Sequence, residues 1–365
     1  MLTKEKTKPI VVSSPSLAPL EEFTELLRGT WESGVLTHNG PLVQRLESEL
    51  CQVLGLKNIV SLVNGTIALQ LAVKALDLRG EIITTPFSWV ATASSILWEH
   101  CTPVFVDIDG ETLNLDPAKI EQAINHRTVA IMAVHVFSNP CDVDAIGEIA
   151  RRHRLKVIYD AAHAVGVNYK GRSVLEYGDV SATSFHATKI FNTGEGGACI
   201  ATDDELHERI KRLRFFGYDS NKEVVEDGMN GKMTEIHAAL GLANLRYFHQ
   251  VIERRREIFL QYHAGLRDLD YLRFQRFDPA AYNFSYMPVI FDTEERLLAV
   301  ERILLSQNII PRRYFYPSLN TMKAVAPYQP MPVSEYVADR ILCLPSNNQI
   351  TDQEISRIID LIRQS

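Results

Sequence analysis

A chain of 365 residues, 46% hydrophobic and 23% charged, has room for one large and one smaller domain and needs no disulfide or metal to build a core. Its net charge of −7 argues against non-specific binding to nucleic acid. The five cysteines (Cys51, Cys101, Cys141, Cys199 and Cys343) are odd in number, scattered and form no CxxC pair, which suggests neither a disulfide framework nor a zinc knuckle and favours a reducing compartment.

The opening "MLTKEKTKPIVVSSPSL" carries charges but no apolar h-region, and no run approaches the ~18 to 20 apolar residues of a membrane span. The expectation is a cytoplasmic protein without a signal peptide or a membrane partner. After this extended lead-in, apolar residues at helical spacing predict helices over 21–31 and 42–54, separated by the breaker Asn39-Gly40-Pro41.

Short β-rich runs then alternate with helical stretches. "NIVSLV", "EIITTP", "TPVFVDI", "TVAIMAVHV", "LKVIYDAA" and "DVSATSF" read as buried strands. "TIALQLAVKAL", "VATASSILWEH", "DPAKIEQAIN" and "VDAIGEIARRH" between them read as helices. Such alternation implies βαβ units and a mainly parallel sheet. Beyond "GGACIATDD" the pattern changes to one long helical stretch from "MTEIHAALG" to "YHAGL", predicted to bend or break near Gly241 and to connect two domains. Strand candidates "NFSYMPVIF" and "NIIPRRY", with helices over 295–306 and 352–363, suit a smaller α+β domain. The expected division is 1–245 for the N-terminal segment and large domain, and 246–365 for the small one.

Ligands of open α/β sheets gather outside the carboxyl ends of the strands, and several polar groups fall there. Asn64-Gly65-Thr66 follows a strand and opens a helix, as an anion site or simply an N-cap. Asp160 ends a buried strand, where a carboxylate needs a partner: a pyridinium N–H, an arginine or a metal. His163 lies three residues on, as a core histidine or a ligand, but no further metal ligands stand near and no metal is expected. Trp89 follows another strand and could stack on an aromatic cofactor or serve as core.

Lys189 sits between an apolar run and the glycine cluster "TGEGG", which matches neither GxGxxG nor the P-loop. A lysine nucleophile needs a neutral amine. A Schiff base to pyridoxal phosphate needs a lysine, a carboxylate for the ring nitrogen and a phosphate cradle. Lys189, Asp160 and the Gly65/Thr66/Ser184 group, with Trp89 as an aromatic platform, supply that combination.

"LTHNGPLVQRLESEL", "NGTIALQLA", "TTPFSWVATASSI", "PVFVDID", "HVFSNPCDVD", "YDAAHAVG", "SFHATKIFNTGEGG", "GMNGKMTEIHAALG" and "RYFYP" together extend over nearly the whole chain. In these stretches the chain resembles the DegT-type, pyridoxal-phosphate-dependent nucleotide-sugar aminotransferases. The resemblance implies an aspartate-aminotransferase-like fold (fold type I), with a mainly parallel α/β large domain and a smaller α+β C-terminal domain. Carried over by position, Lys189 would form the Schiff base and later shuttle the proton, and Asp160 would pair with the ring nitrogen. Trp89 would stack on the ring, and His163 would take the place of a common glutamine at the ring hydroxyl. Gly65, Thr66 and Ser184 would hold the phosphate, and Asn230 would reach the phosphate bound by a neighbouring subunit. A homodimer with active sites at the subunit interface follows from that resemblance.

The chain departs from the family at Lys232, where arginine is common in "GxNxRM", and at "NGT", where "SGT" is commoner. Its lysine variant, with "SFHATKIFNT", resembles members that make dTDP-4-amino-4,6-dideoxyglucose and relatives that act at C3. "NGTIAL" in place of "NGLDAL" favours amination at C4 over C3. The expected reaction moves the amino group of L-glutamate onto a dTDP-linked 4-keto-6-deoxyhexose for O-antigen or another glycan; a 3-keto or UDP-linked sugar is the alternative.

Lys189 disfavours the dehydratase members, which carry histidine at that position. Candidate substrate contacts are His38, Lys232, Arg313, Tyr314 and Tyr316, with Arg312 as a further cation. An NAD-dependent sugar enzyme lacks its glycine fingerprint here. A catalytically silent regulator with this fold is disfavoured by the intact Lys189/Asp160 pair.

Overall fold

The computed structural model describes residues 8–365, so the first seven residues of the lead-in lie outside the described residues. Strand β1 (Ile10–Val11) is followed by helices α1 (Leu20–Ser33) and α2 (Pro41–Leu54). Pro41 sits in the first turn of α2, where its missing N–H costs nothing. The buried Glu235 carboxylate accepts from the Leu42 and Val43 N–H groups, at 2.8 and 3.0 Å, and caps that helix from elsewhere in the chain.

Next come β2 (Val60–Leu62), α3 (Gly65–Ala75), β3 (Glu81–Thr84), α4 (Val90–Trp98), β4 (Thr102–Phe105), α5 (Pro117–Ala123), β5 (Thr128–Val134), α6 (Val143–His153) and β6 (Lys156–Asp160). A small hairpin, β7 (Asn168–Tyr169) and β8 (Arg172–Ser173), precedes β9 (Val180–Ser184) and β10 (Gly197–Ile200). The large sheet has seven strands in the order β2-β10-β9-β6-β5-β3-β4. Only β10 runs against its neighbours. Strands such as β3 and β10 are buried along their whole length, as helices on both faces of a sheet require. Asp142 caps α6, whose last turn carries Arg151, Arg152 and His153, so both ends complement the helix dipole.

Helix α7 (Asp204–Arg214) leads to α8 (Glu235–Leu245) and α9 (Phe248–Leu266). The long helical stretch therefore breaks at Arg246-Tyr247, not at Gly241. Gly241 lies inside α8, where a Cβ would stand 2.6 Å from Thr193 Cγ2 and 3.2 Å from Leu46 Cδ1. Glycine serves close approach to α2 there, and the helix continues through it.

The remainder contains β11 (Leu272–Phe274), β12 (Met287–Phe291), α10 (Glu294–Ser306), β13 (Ile309–Ile310), α11 (Pro332–Arg340), β14 (Ile341–Leu344) and α12 (Asp352–Arg363). A three-stranded antiparallel sheet, β11-β12-β14, shares a core with Ile258, Phe259 and Tyr262 of α9 and Ile355 and Ile358 of α12. The "NFSYMPVIF" strand is shorter than expected and starts at Met287, after Phe284 adopts φ 58°. "NIIPRRY" holds only two strand residues, because Pro311 has no N–H for a ladder. Those two pair in parallel with β1, which ties the chain's beginning to its C-terminal part. Among the described residues no helix is long and apolar enough to cross a membrane.

Candidate active site

A cavity of about 300 Å³ opens at the carboxyl ends of the co-directed strands, the usual ligand position of such sheets. Asn64-Thr66 enter it after β2, Ser88 and Trp89 after β3, Asp160 to His163 after β6, and Ser184 to Lys189 after β9. Tyr286, Arg312, Tyr314 and Phe315 close the opposite side. Gly65, Thr66, Trp89, Asp160, His163, Ser184, Lys189 and Tyr314, singled out from the sequence, therefore share one cavity.

The cavity can take an anion at one end. Asn64 Oδ1 accepts from Ile67 N at 2.8 Å and caps α3, so the first-turn N–H groups of Gly65 and Thr66 face outward from a helix N-terminus. A Cβ on Gly65 would stand 2.8 Å from Ser184 Cβ, and one on Gly197 would stand 2.5 Å from the Asn64 carbonyl carbon. Two glycines thus allow the start of α3 to lie directly on β9 and β10, beside the Ser184 hydroxyl.

At the other end is a buried carboxylate. Asp160 Oδ2 accepts from Thr92 Oγ1 at 2.7 Å, and Oδ1 accepts from Ala162 N at 3.1 Å. Burial pushes its pKa up, while Thr92, Ala162 and the Lys189 amine act in the opposite direction. An anion held there has room in its hydrogen-bonding capacity for a cationic N–H.

Burial is also the main cause that holds the Lys189 amine below the ordinary lysine range; Arg312 adds to it, and Tyr314 and Asp160 oppose it. The amine donates to the Tyr286 hydroxyl at 3.5 Å. An amine of lowered basicity in a cavity is a competent nucleophile and proton carrier. His163 is kept neutral by burial and by Lys189. Its Nδ1 accepts from Phe137 N at 3.3 Å, which puts the ring proton on Nε2. Phe137 and Phe315 lie almost parallel to that ring, at 4° and 9°. Trp89, 54% exposed, forms a flat wall of the cavity, with the Arg312 guanidinium 5.6 Å from its ring.

Five sequence candidates lie outside this cavity. Lys232 is buried, hydrogen-bonds Asn230 and sits 4.7 and 4.5 Å from the Phe215 and Phe216 rings; His38 meets Phe215 edge-on at 5.6 Å. These three residues form a separate cluster. Burial, with Arg214, lowers the Lys232 pKa. Arg313 is turned away: it pairs with Glu294 at 2.8 Å, donates to the Asp339 carbonyl at 2.9 Å and covers the Tyr316 ring at 3.5 Å. Successive residues of an extended segment face opposite sides, so Arg312 reaches the cavity and Arg313 does not.

Ser88, His186, Glu195 and Tyr286 line the cavity without having been singled out. His186 and Glu195 stand within the quoted "SFHATKIFNTGEGG", where their nearness to Lys189 is a usable signal. Ser88, next to Trp89 in the quoted "TTPFSWVATASSI", carries the same signal, whereas Tyr286 reaches the cavity from a distant part of the chain and no spacing announces it. Among the described residues no group of three or more His, Cys, Asp or Glu could hold a metal ion.

A nucleophilic amine, an anionic partner for a ring cation, an aromatic wall and a helix N-terminus for an anion in one cavity suit a flat, phosphorylated aromatic aldehyde. Known proteins agree in sequence and in fold. The dTDP-4-amino-4,6-dideoxy-D-glucose transaminase of Shigella dysenteriae is 43% identical over 98% of this chain and 99% of that protein. The enzyme of the same name from Escherichia coli is 40% identical over 97% of this chain and 98% of its own. The crystal structure of DesI in the presence of its TDP-sugar product superposes with a TM-score of 0.93 at 35% identity, over 98% of this chain and 93% of that one. With the profile of that aminotransferase group matching residues 19–363, the chain belongs to the DegT/DnrJ/EryC1/StrS aminotransferase family.

Proposed function

We propose that the protein is a pyridoxal-phosphate-dependent nucleotide-sugar aminotransferase that moves the amino group of L-glutamate to a dTDP-linked 4-keto-6-deoxyhexose, giving dTDP-4-amino-4,6-dideoxyglucose for O-antigen or another glycan. The observation that carries the proposal is the Lys189 amine and the buried Asp160 carboxylate lining one cavity with the glycine-seated start of α3. Similarity to the Shigella dysenteriae transaminase supports the choice of sugar.

The residues present fit the cofactor. Gly65, Thr66 and Ser184 would hold the phosphate, Asp160 the ring nitrogen, Trp89 a ring face and His163 the ring oxygen, with Lys189 as the covalent anchor. When bound, pyridoxal phosphate supplies an electron sink for the pair left as a C–H bond beside nitrogen breaks. Asp160, held as an anion, would keep the ring nitrogen protonated. Lys189 would be the proton carrier, taking the proton from the donor's α-carbon and, for the acceptor sugar, delivering one to the carbon that gains the nitrogen.

Arg312 and Tyr314 at the mouth of the cavity meet the anionic and hydroxyl groups of the substrates. Asn230, with Lys232 and His38 beside it, would complete the phosphate site of a second copy, making a homodimer the working unit. The same proposal divides the chain into 1–245 and 246–365, with residues 10–12 attached to the second part by β1–β13 and by Val12 O. Five free cysteines, four of them buried, support a reducing, cytoplasmic setting.

The test is direct. Purified full-length protein is incubated with pyridoxal phosphate, L-glutamate and dTDP-4-keto-6-deoxyglucose, and 2-oxoglutarate and the amino sugar are measured by mass spectrometry. Both products should form with wild type and neither with Lys189→Ala. Borohydride reduction should fix a pyridoxyl group on the Lys189 peptide. Absence of that adduct would overturn the cofactor assignment; turnover only with a 3-keto or UDP-linked sugar would overturn the substrate.

A further inference from the structure

Asp160 is held by more than its own loop. Thr92, fully buried on the first turn of α4, donates its hydroxyl proton to Asp160 Oδ2 at 2.7 Å. Ser88 Oγ lies 2.7 Å from Thr92 Oγ1, and Ser88 itself lines the cavity. A threonine hydroxyl has one proton. If that proton goes to the carboxylate, the Ser88 hydroxyl must donate to Thr92, so the contact between the two has only one direction. Trp89, between them in sequence, forms the cavity wall, so one turn of chain carries both features.

We propose that Ser88 and Thr92 form a directed hydroxyl relay, Ser88 to Thr92 to Asp160, that positions the Asp160 carboxylate and holds it as an anion. The inference rests on the proposed function for its meaning, since the anion is what keeps the ring nitrogen of pyridoxal phosphate protonated. Ser88 and Thr92 are positioning residues: they act through Asp160.

Other charged or titratable groups lie on the elements around Asp160 and bear on the test. Lys189 approaches from the turn after β9 and favours the anion. His163 follows in its own loop and is neutral. His135 and Cys141 follow β5 and pack on the Tyr159 side, where the His135 ring stacks on Tyr159 and accepts from Cys141 N; burial keeps the histidine uncharged and the thiol protonated. Arg312 lies across the cavity. None of these donates a hydrogen bond to the carboxylate from its side chain, so the loss of Thr92 leaves Oδ2 without a donor.

The experiment uses full-length Thr92→Val, Thr92→Ser and Ser88→Ala, each in the wild-type and Asp160→Asn backgrounds. One readout is pyridoxal phosphate affinity; the other is the pH dependence of thermal unfolding without cofactor. Loss of one hydrogen bond to a charged group predicts about tenfold or greater weakening of cofactor binding in Thr92→Val. Thr92→Ser, which keeps the hydroxyl, should restore it to within about threefold, and Ser88→Ala should fall between.

Burial raises the folded pKa of Asp160 above its unfolded value, so this group costs stability as pH rises through that interval. Removing the donor raises the folded value further. The Tm deficit of Thr92→Val should therefore grow as pH rises above the ordinary carboxylate value, and the growth should vanish in Asp160→Asn. A deficit independent of pH, or one that persists in Asp160→Asn with no rescue by Thr92→Ser, would overturn the relay and leave a packing role. If Thr92→Val fails to fold, the Thr92→Ser and Ser88→Ala cycles carry the same comparison. Failure of wild type to bind pyridoxal phosphate would sink the functional proposal alone, because the pH cycle needs no cofactor.

Discussion

Replacing Gly65 by alanine tests whether the start of α3 is the phosphate cradle. Gly65 has no left-handed φ, so alanine brings no backbone strain, and the helix gains up to ~1 kcal/mol in propensity. The cost comes from Ser184: its Cβ would lie 2.8 Å from the new methyl and its Cα 3.2 Å, where ordinary contact begins near 3.4 Å. The start of α3 must then lift by about 0.6 Å, the shortfall at Ser184 Cβ. Overpacking of this kind costs about 1–3 kcal/mol, so the net loss of stability is about 0–3 kcal/mol and the chain still folds.

The N–H groups that would face the phosphate move with the helix. Loss of one charge-assisted hydrogen bond is worth about 1.5–3 kcal/mol, or roughly 10- to 100-fold in cofactor affinity. The assay is equilibrium titration of the cofactor-free protein with pyridoxal phosphate by absorbance and fluorescence, beside a thermal melt. Gly197→Ala should be more damaging, because its Cβ meets backbone atoms of Asn64 and Gly65 at 2.5–2.6 Å, which cannot swing aside. A folded Gly65→Ala protein with wild-type affinity would refute the assignment of the cradle.

Three further predictions test the scaffold. Gly147→Ala, at an exposed position inside α6 with nothing within 4 Å of its Cβ, should stabilise the protein by up to ~1 kcal/mol and raise Tm without changing cofactor binding. Arg255 is buried, its pKa lowered by burial to about 10, and among the described residues it donates only to neutral groups: Asn348 Oδ1, the Ser285 carbonyl and Ser346 Oγ. Arg255→Ala should cost about 3 kcal/mol in denaturant melts, whereas Arg256→Ala, on the exposed side of α9, should stay within ~0.5 kcal/mol. Burial, with Glu47 and Glu176, raises the Cys51 thiol to about 11, so its alkylation by iodoacetamide should be slow at neutral pH and accelerate as pH approaches that value. Fast labelling at neutral pH would contradict that placement.

Much of the site was legible because fold type and chemistry leave local marks. Asp160 ends a buried strand and Lys189 precedes a glycine cluster, and each pattern survives in a short window. The parallel order was legible too, because strands and helices alternate at regular length. Helix α7 was missed although Leu206, Ile210 and Leu213 of "DELHERIKRLR" recur at helical spacing and pack together; the signal was present, and the charged majority around those three residues masked it. Gly241 was taken for a break because glycine weakens helices, yet contact with Thr193 and Leu46 decides its role. The choice between Arg312 and Arg313 was equally invisible, since it depends on which side of an extended segment faces the cavity.

By itself, then, the sequence determined the kinds of element, the mainly parallel order and the residues with reactive chemistry, all of which depend on short-range patterning. The tertiary structure alone decided the reversed direction of β10, the pairing of β1 with β13, and the convergence of Tyr286, Arg312, Ser88 and Thr92 on Lys189 and Asp160. Those contacts join residues far apart in the chain, and burial then sets the basicity of the Lys189 amine and the Asp160 carboxylate. Desolvation belongs to the assembled cavity, and no local window of sequence carries it.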